Sequence, residues 1–360
     1  MTPSPLLRTP PYPAKLGYRM PAEWEPHAAT WIAWPHQRTD WPDRFEPIPW
    51  VYVEIVRALH KGERVRILAL PPQEKEARTM LGRAGVDLSR VDFVPFATDR
   101  VWTRDSGPTF VTNPSGDRAI LDWHFNAWAK YDNWQNDDRL PEQIAGHLGL
   151  ARWQPERGGR RVVLEGGSID VNGQGLLLTT EECLLGEQQA RNPDLSRADV
   201  EQVLGDYLGV QKVLWLNRGI TGDDTHGHVD DVARFIGPRT VVAAVEEESD
   251  DANYEPLQEN LERLRTMTDV EGRPLEVVPL PMPAPLYFDD HRLPASYANF
   301  YVGNRCVLVP TFNDPRDRLA LTTLAKVFRS RDVIGIHAVD LIWGLGTLHC
   351  LTQQEPATNM

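Results

Sequence analysis

His226-Gly227-His228-Val229-Asp230-Asp231 runs into Val232-Ala233-Arg234-Phe235-Ile236, then Gly237-Pro238-Arg239, then Val241 to Val245. The order is a polar cluster, a β-branched and aromatic run, a Gly-Pro turn and a second apolar run. Such runs favour strands and Gly-Pro reverses the chain, so two paired strands are predicted with a polar cluster at their entrance. The same order recurs three times. Thr109-Phe110-Val111 turns through residues 113–117 into Ala119-Ile120-Leu121. Ser168-Ile169-Asp170-Val171 turns through Asn172-Gly173-Gln174-Gly175 into Leu176-Leu177-Leu178. Asn299-Phe300-Tyr301-Val302 turns through Gly303-Asn304-Arg305 into Cys306 to Val309.

The clusters ahead of these strands are Arg104-Asp105-Ser106-Gly107, Glu165-Gly166-Gly167 and Ser296-Tyr297-Ala298-Asn299. In Gly344-Leu345-Gly346-Thr347-Leu348-His349-Cys350, the cysteine takes the corresponding place. Intervals between Asp105, Glu165, His228, Asn299 and Cys350 run from 51 to 71 residues. Helices are expected at about 50–61, 73–84, 139–148, 196–208, 254–267 and 315–329. In the fourth, Ser196 and Asp199 make a capping box, Val200, Val203, Leu204, Tyr207 and Leu208 share a face, and Gly209 ends the helix. In the last, Asp314 is the expected N-cap and Pro315 the first helical residue. A further strand is expected at 30–34. Near-periodicity of this kind predicts an α/β fold closed into a ring of about five similar units, whose strand ends line one pocket. Hairpins aligned by chance in an ordinary α/β protein are the alternative. Residues 1–20, rich in proline, read as an extended arm, and residues 21–356 as one domain.

With 360 residues, 41% hydrophobic and 25% charged, the chain can bury a large core. The net charge of −13 argues against nucleic acid, which calls for clustered Lys and Arg, and suits a small cationic substrate. No apolar run approaches the roughly 18 residues of a membrane helix, so no membrane partner is expected. The N-terminus lacks a signal pattern, and three cysteines make no disulfide framework, so a cytoplasmic location is expected.

Asp105, Glu165, His228, Asp230 and Cys350 form the candidate catalytic set. A thiol attacks as thiolate and needs an acid/base partner, which His228 can supply. Glu165 can orient the imidazole and support its charge. Asp105 and Asp230 would repel each other in one pocket unless a cation sat between them. A guanidinium, planar and rich in N–H donors, fits paired carboxylates. The inventory therefore points to attack on a guanidinium carbon. Taken alone, Cys350 reads as a core thiol, as Cys183 and Cys306 do in their apolar runs. Two other readings stay open: a metal-dependent hydrolase using His226, His228, Asp230 and Asp231, and a non-catalytic ring that binds a cation. Trp34, Trp102 and Trp343 are candidate walls for an apolar substrate stem, and Asp224 is a candidate contact for a distal amine.

The chain resembles the agmatine deiminase family, related to bacterial peptidylarginine deiminases within the guanidino-group modifying (pentein) superfamily. The stretches that carry the resemblance begin with Met20–His27, residues 30–35 and Trp102–Val111. They continue through Leu164–Ile169, Thr225–Asp230, Ala295–Phe300 and His349–Gln354. It implies a five-bladed pseudo-symmetric α/β propeller, no metal or other cofactor, and hydrolysis of a guanidinium to a ureido group plus ammonia. It carries Cys350 over as nucleophile, His228 as acid/base, Glu165 as its neighbour, and Asp105 and Asp230 as guanidinium-binding carboxylates. Agmatine is the implied substrate and N-carbamoylputrescine the product; free or peptide-terminal arginine and other alkylguanidines remain open. Water is the second reactant, and a homodimer is compatible. The approach Gly344-Leu345-Gly346-Thr347-Leu348 and the stretch Ser168-Ile169-Asp170-Val171 depart from the family forms Gly-Gly-Gly-Asn-Ile and Ser-Ile-His-Val.

Overall fold

A computed structural model describes residues 5–358. Four hairpins form where turn residues separate apolar runs, and each is extended by a parallel strand after a helix. In the first, β4 (Thr109–Thr112) pairs antiparallel with β5 (Arg118–Leu121). Helix α3 (Leu140–Leu148) then returns the chain so that β6 (Ala151–Trp153) lies parallel to β5. The next unit repeats this with β7 (Asp170–Val171), β8 (Leu176–Thr180), α4 (Arg197–Leu208) and β9 (Lys212–Leu216). A third has β10 (Ala233–Phe235), β11 (Thr240–Val245), α5 (Tyr254–Thr266) and β12 (Glu276–Pro281). A fourth has β13 (Tyr301–Val302), β14 (Cys306–Thr311), α6 (Arg316–Val327) and β15 (Asp332–His337).

The fifth sheet joins the two ends of the chain. Strand β1 (His27–Ala33) has β16 (Gln353–Pro356) antiparallel on one side and β2 (Arg64–Leu68) parallel on the other. Helix α1 (Ile48–Leu59) links β1 to β2, and α2 (Pro71–Arg83) links β2 to β3 (Val91–Val94). The expected strand at 30–34 is longer because it is a central strand, bonded from His27 onward. Buried Glu355 fastens the closure: Trp31 donates to it at 3.0 Å and Arg118 at 2.6 Å.

All six expected helices form. Ser196 accepts from the Asp199 amide, and Asp199 accepts from the Ser196 amide at 3.1 Å; Gly209 follows in the left-handed conformation. Such a cap stabilises a helix by about 1 kcal/mol. Asp314 caps α6 by accepting from the Arg316 amide at 2.7 Å. That helix stops at Val327, before the expected end, because Phe328 turns inward against Phe300. Apolar faces bury against the sheets: α5 packs on β11 and β12, and α6 on β15 and on β12 of the preceding unit. Of the N-terminal arm, Leu6–Leu7 adds a short parallel strand beside β6, and residues 1–4 lie outside the described residues. Among the described residues no helix is long and apolar enough to cross a membrane.

Candidate active site

Each polar cluster forms a single turn ahead of the first strand of its sheet. Asp105 sits on the one-turn helix Thr103–Ser106 before β4. Glu165 opens the turn Gly166–Ser168 before β7. His228 opens the turn Val229–Asp231 before β10, and Asp230 lies within it. Asn299 precedes β13, and Cys350 precedes β16. One residue explains why they can meet. A Cβ on Gly167 would stand 2.6 Å from His228 Nδ1, 2.8 Å from Asp105 Oδ1 and 3.0 Å from Asp230 Oδ2. Only a residue without a side chain fits where these three groups converge.

The imidazole of His228 lies between two carboxylates, with Nδ1 3.8 Å from Asp105 Oδ2 and Nε2 3.7 Å from Glu165 Oε2. Burial opposes its charge, but Asp105, Cys183 and Glu165 together raise it well above the usual histidine range. Burial also opposes ionisation of Glu165, yet the guanidinium of Arg191, 3.0 Å away, and His228 hold it down at about 2. Asp105 accepts from the Gly167 amide at 2.9 Å and from Trp128 Nε1 at 2.8 Å. Burial, Asp230 and Glu165 raise it, against His228. Asp230 is buried too, but the bond from His349 Nδ1 at 2.7 Å holds it below the usual aspartate range. His349 is held from behind by Glu23, 2.8 Å from Nε2.

Cys350 Sγ accepts from Asn299 Nδ2 at 3.2 Å and lies 3.7 Å from Asp230 Oδ2. Burial, then Asp230, Asp231 and Asp105, push the thiol well above the usual cysteine range. It is a neutral thiol in a pocket of carboxylates, a state that a bound cation would reverse. Cys350 and Asp105 both face a cavity of about 690 Å³ walled by Trp102, Trp128, Phe288 and Trp343. Trp128 belongs to Ala127-Trp128-Ala129, three consecutive left-handed residues, a conformation that costs non-glycine residues about 1–2 kcal/mol each. The Ala129 amide bond to Asn126 Oδ1 at 2.9 Å and the edge-on Phe125 ring hold this segment in place.

The five candidate catalytic residues thus come together, and Trp102 and Trp343 line the cavity. Trp34 does not; it is buried in the core against Tyr52, because its strand is central. Asp224 lines the cavity, but its carboxylate already receives Lys130 Nζ and, at 2.6 Å, the Tyr131 hydroxyl. The metal set His226, His228, Asp230 and Asp231 does not converge. His226 turns toward Glu182 at 3.9 Å, and Asp231 is bonded to Asn299 at 3.0 Å. Cys306 is a core thiol, raised to about 12 mainly by burial. Cys183, also expected to be core, lies beside Glu165 and His228. Asn299, Trp128 and Arg191 escaped assignment from sequence. Asn299 alone carried a signal, as the fourth member of the recurring clusters.

Residues 19–356 match the family model described as Porphyromonas-type peptidyl-arginine deiminase. The chain belongs to that family. Within it, the Pseudomonas aeruginosa (strain LESB58) agmatine deiminase is 37% identical over 95% of this chain and 96% of its own length. The solved agmatine deiminase of Enterococcus faecalis is 34% identical with a TM-score of 0.90, covering 98% of this chain and 99% of its own. A C. jejuni agmatine deiminase solved with substrate bound is 29% identical with a TM-score of 0.83, covering 95% and 97%. This member of the peptidyl-arginine deiminase family is accordingly a hydrolase of a guanidino group, with an α/β fold.

Proposed function

We propose that this chain converts agmatine and water to N-carbamoylputrescine and ammonia, with Cys350 as nucleophile. The observation that carries this reading is Cys350 Sγ 3.7 Å from Asp230 Oδ2 and facing the same cavity as Asp105. A guanidinium entering that pocket pairs with Asp105 and Asp230 and cancels the charge that keeps the thiol protonated. The substrate therefore helps to generate the thiolate that attacks it. With His228 already charged, the thiol proton passes to solvent as the substrate binds, and the thiolate attacks the guanidinium carbon to form the C–S bond. His228, charged in the free enzyme, gives its proton to the departing ammonia, leaving a thiouronium adduct. The neutral imidazole then takes a proton from water as the water attacks; the C–S bond breaks, the hydroxyl proton passes to the Cys350 sulfur, and the ureido product leaves. Glu165, itself fixed by Arg191, keeps the ring oriented through this cycle.

The repeated sheets are read as five blades of a pseudo-symmetric propeller, with the five turns at its centre. Trp102 is proposed to wall the methylene stem. Asp224 is proposed to hold the distal ammonium, which would take the place of Lys130. The test is ammonia release across agmatine, free arginine and arginyl peptides. Agmatine is expected to show the highest kcat/KM. A higher value for arginine or a peptide would reject the substrate while leaving the chemistry standing.

A further inference from the structure

A second cluster shares His228 and Glu165 with the proposed reaction and adds Cys183, which that reaction does not use. A carboxylate oxygen of Glu165, Sγ of Cys183 and a ring nitrogen of His228 all lie within 4.8 Å of one another, and all three residues are buried. Glu165 Oε2 and the His228 Nε2 that faces it have no hydrogen-bond partner, whereas Nδ1 faces Asp105. Buried polar atoms left unpaired are costly, so their convergence calls for an occupant. Nε2 and Oε2 are already 3.7 Å apart. A tetrahedral ion bound at about 2.0–2.3 Å from each ligand needs ligand separations of roughly 3.3–3.7 Å. Small side-chain rotations would close the site. Thr180, capping the helix Glu181–Leu185 through the Cys183 amide at 3.1 Å, anchors the backbone that carries the thiol.

We propose that Glu165, Cys183 and His228 form a site for a thiophilic divalent cation of the zinc class, and that occupancy inhibits the enzyme. The ligand set of thiolate, imidazole and carboxylate suits zinc or cobalt rather than magnesium or calcium. The ligands bind as thiolate, carboxylate and neutral imidazole, and any protons they carry pass to solvent as the dication enters. With Nε2 on the metal, the imidazole can no longer hold two protons and loses the acid form that the ammonia departure requires. This differs from a catalytic metal, because the ion removes activity instead of conferring it.

Binding is read apart from turnover, so the result is independent of which guanidine is the substrate. Cobalt(II) is titrated into Cys350→Ser protein, which lacks the pocket thiol. One ion per chain is expected, with a thiolate-to-cobalt absorption band that disappears when Cys183→Ser is added. Absence of the band in Cys350→Ser protein, or a band undiminished without Cys183, overturns the site. If Cys183→Ser compromises folding, Glu165→Gln in the same background is expected to weaken cobalt binding about tenfold or more; unchanged affinity counts equally against it. With Cys350 present, zinc should inhibit turnover of the wild-type enzyme, and Cys183→Ser should relieve that inhibition about tenfold or more; inhibition unchanged in Cys183→Ser contradicts the assignment.

Discussion

Gly167→Ala should disable this enzyme while leaving its fold. The added carbon would stand 2.6 Å from His228 Nδ1 and 2.8 Å from Asp105 Oδ1. Non-bonded contact requires about 3.5 Å or more, so the imidazole or the turn must retreat by roughly 1 Å. Misplacing reacting groups by that distance costs about a hundredfold in rate. Gly167 has no left-handed backbone for alanine to strain. The stability penalty is therefore overpacking alone, about 1–3 kcal/mol, or a few degrees in Tm. Gly82→Ala makes the same chemical change in the last turn of α2, where an added Cβ meets nothing within 4 Å. That control should keep full activity and gain at most about 1 kcal/mol. The assay is ammonia release from agmatine alongside thermal unfolding of both variants. A folded Gly167→Ala protein retaining more than a third of wild-type kcat/KM would refute the account of the convergence point.

Trp128→Phe keeps the ring but removes the donor to Asp105; a bond to a charged group is worth about 1.5–3 kcal/mol, so kcat/KM should fall roughly tenfold or more in steady-state kinetics. Lys130→Met frees the Asp224 carboxylate, and the KM for agmatine should fall, by less than about fivefold since the pair is partly exposed; a raised KM would count against Asp224 as the amine contact. Acid stability follows from Glu165. Its folded value of about 2 lies below the unfolded one, so its ionised form contributes stability above about pH 4.5 that is lost as pH falls toward 2. The urea midpoint should drop over that window, with a shallower slope in Glu165→Gln; identical slopes would contradict the assignment.

The units of the fold were legible because each carries its own signals: turn residues between apolar runs, a capping box at Ser196, and Asp314 before α6. The convergence of Asp105, Glu165, His228 and Cys350 was legible for the same reason, since all four occupy equivalent turns. Contacts between units were not. Trp128 reaches Asp105 from a left-handed segment that no local propensity favours. Arg191 meets Glu165 across 26 residues that include β7, β8 and the helix Glu181–Leu185. Trp34 misled because an aromatic residue at a strand end suits a pocket wall and a core equally well; the packing of Tyr52 decides between them. Cys183 is the core thiol expected, though in the short helix Glu181–Leu185 instead of a strand, and the fold also brings it beside His228. The charge of Asp224 was visible, but Lys130, its partner 94 residues earlier in the chain, was not.

Ammonia release from agmatine by folded Cys350→Ala protein tests the central claim most directly. The account predicts no release above the uncatalysed background, with thermal unfolding close to wild type. Turnover within tenfold of wild type would contradict it, since a group other than Cys350 would then supply the nucleophile.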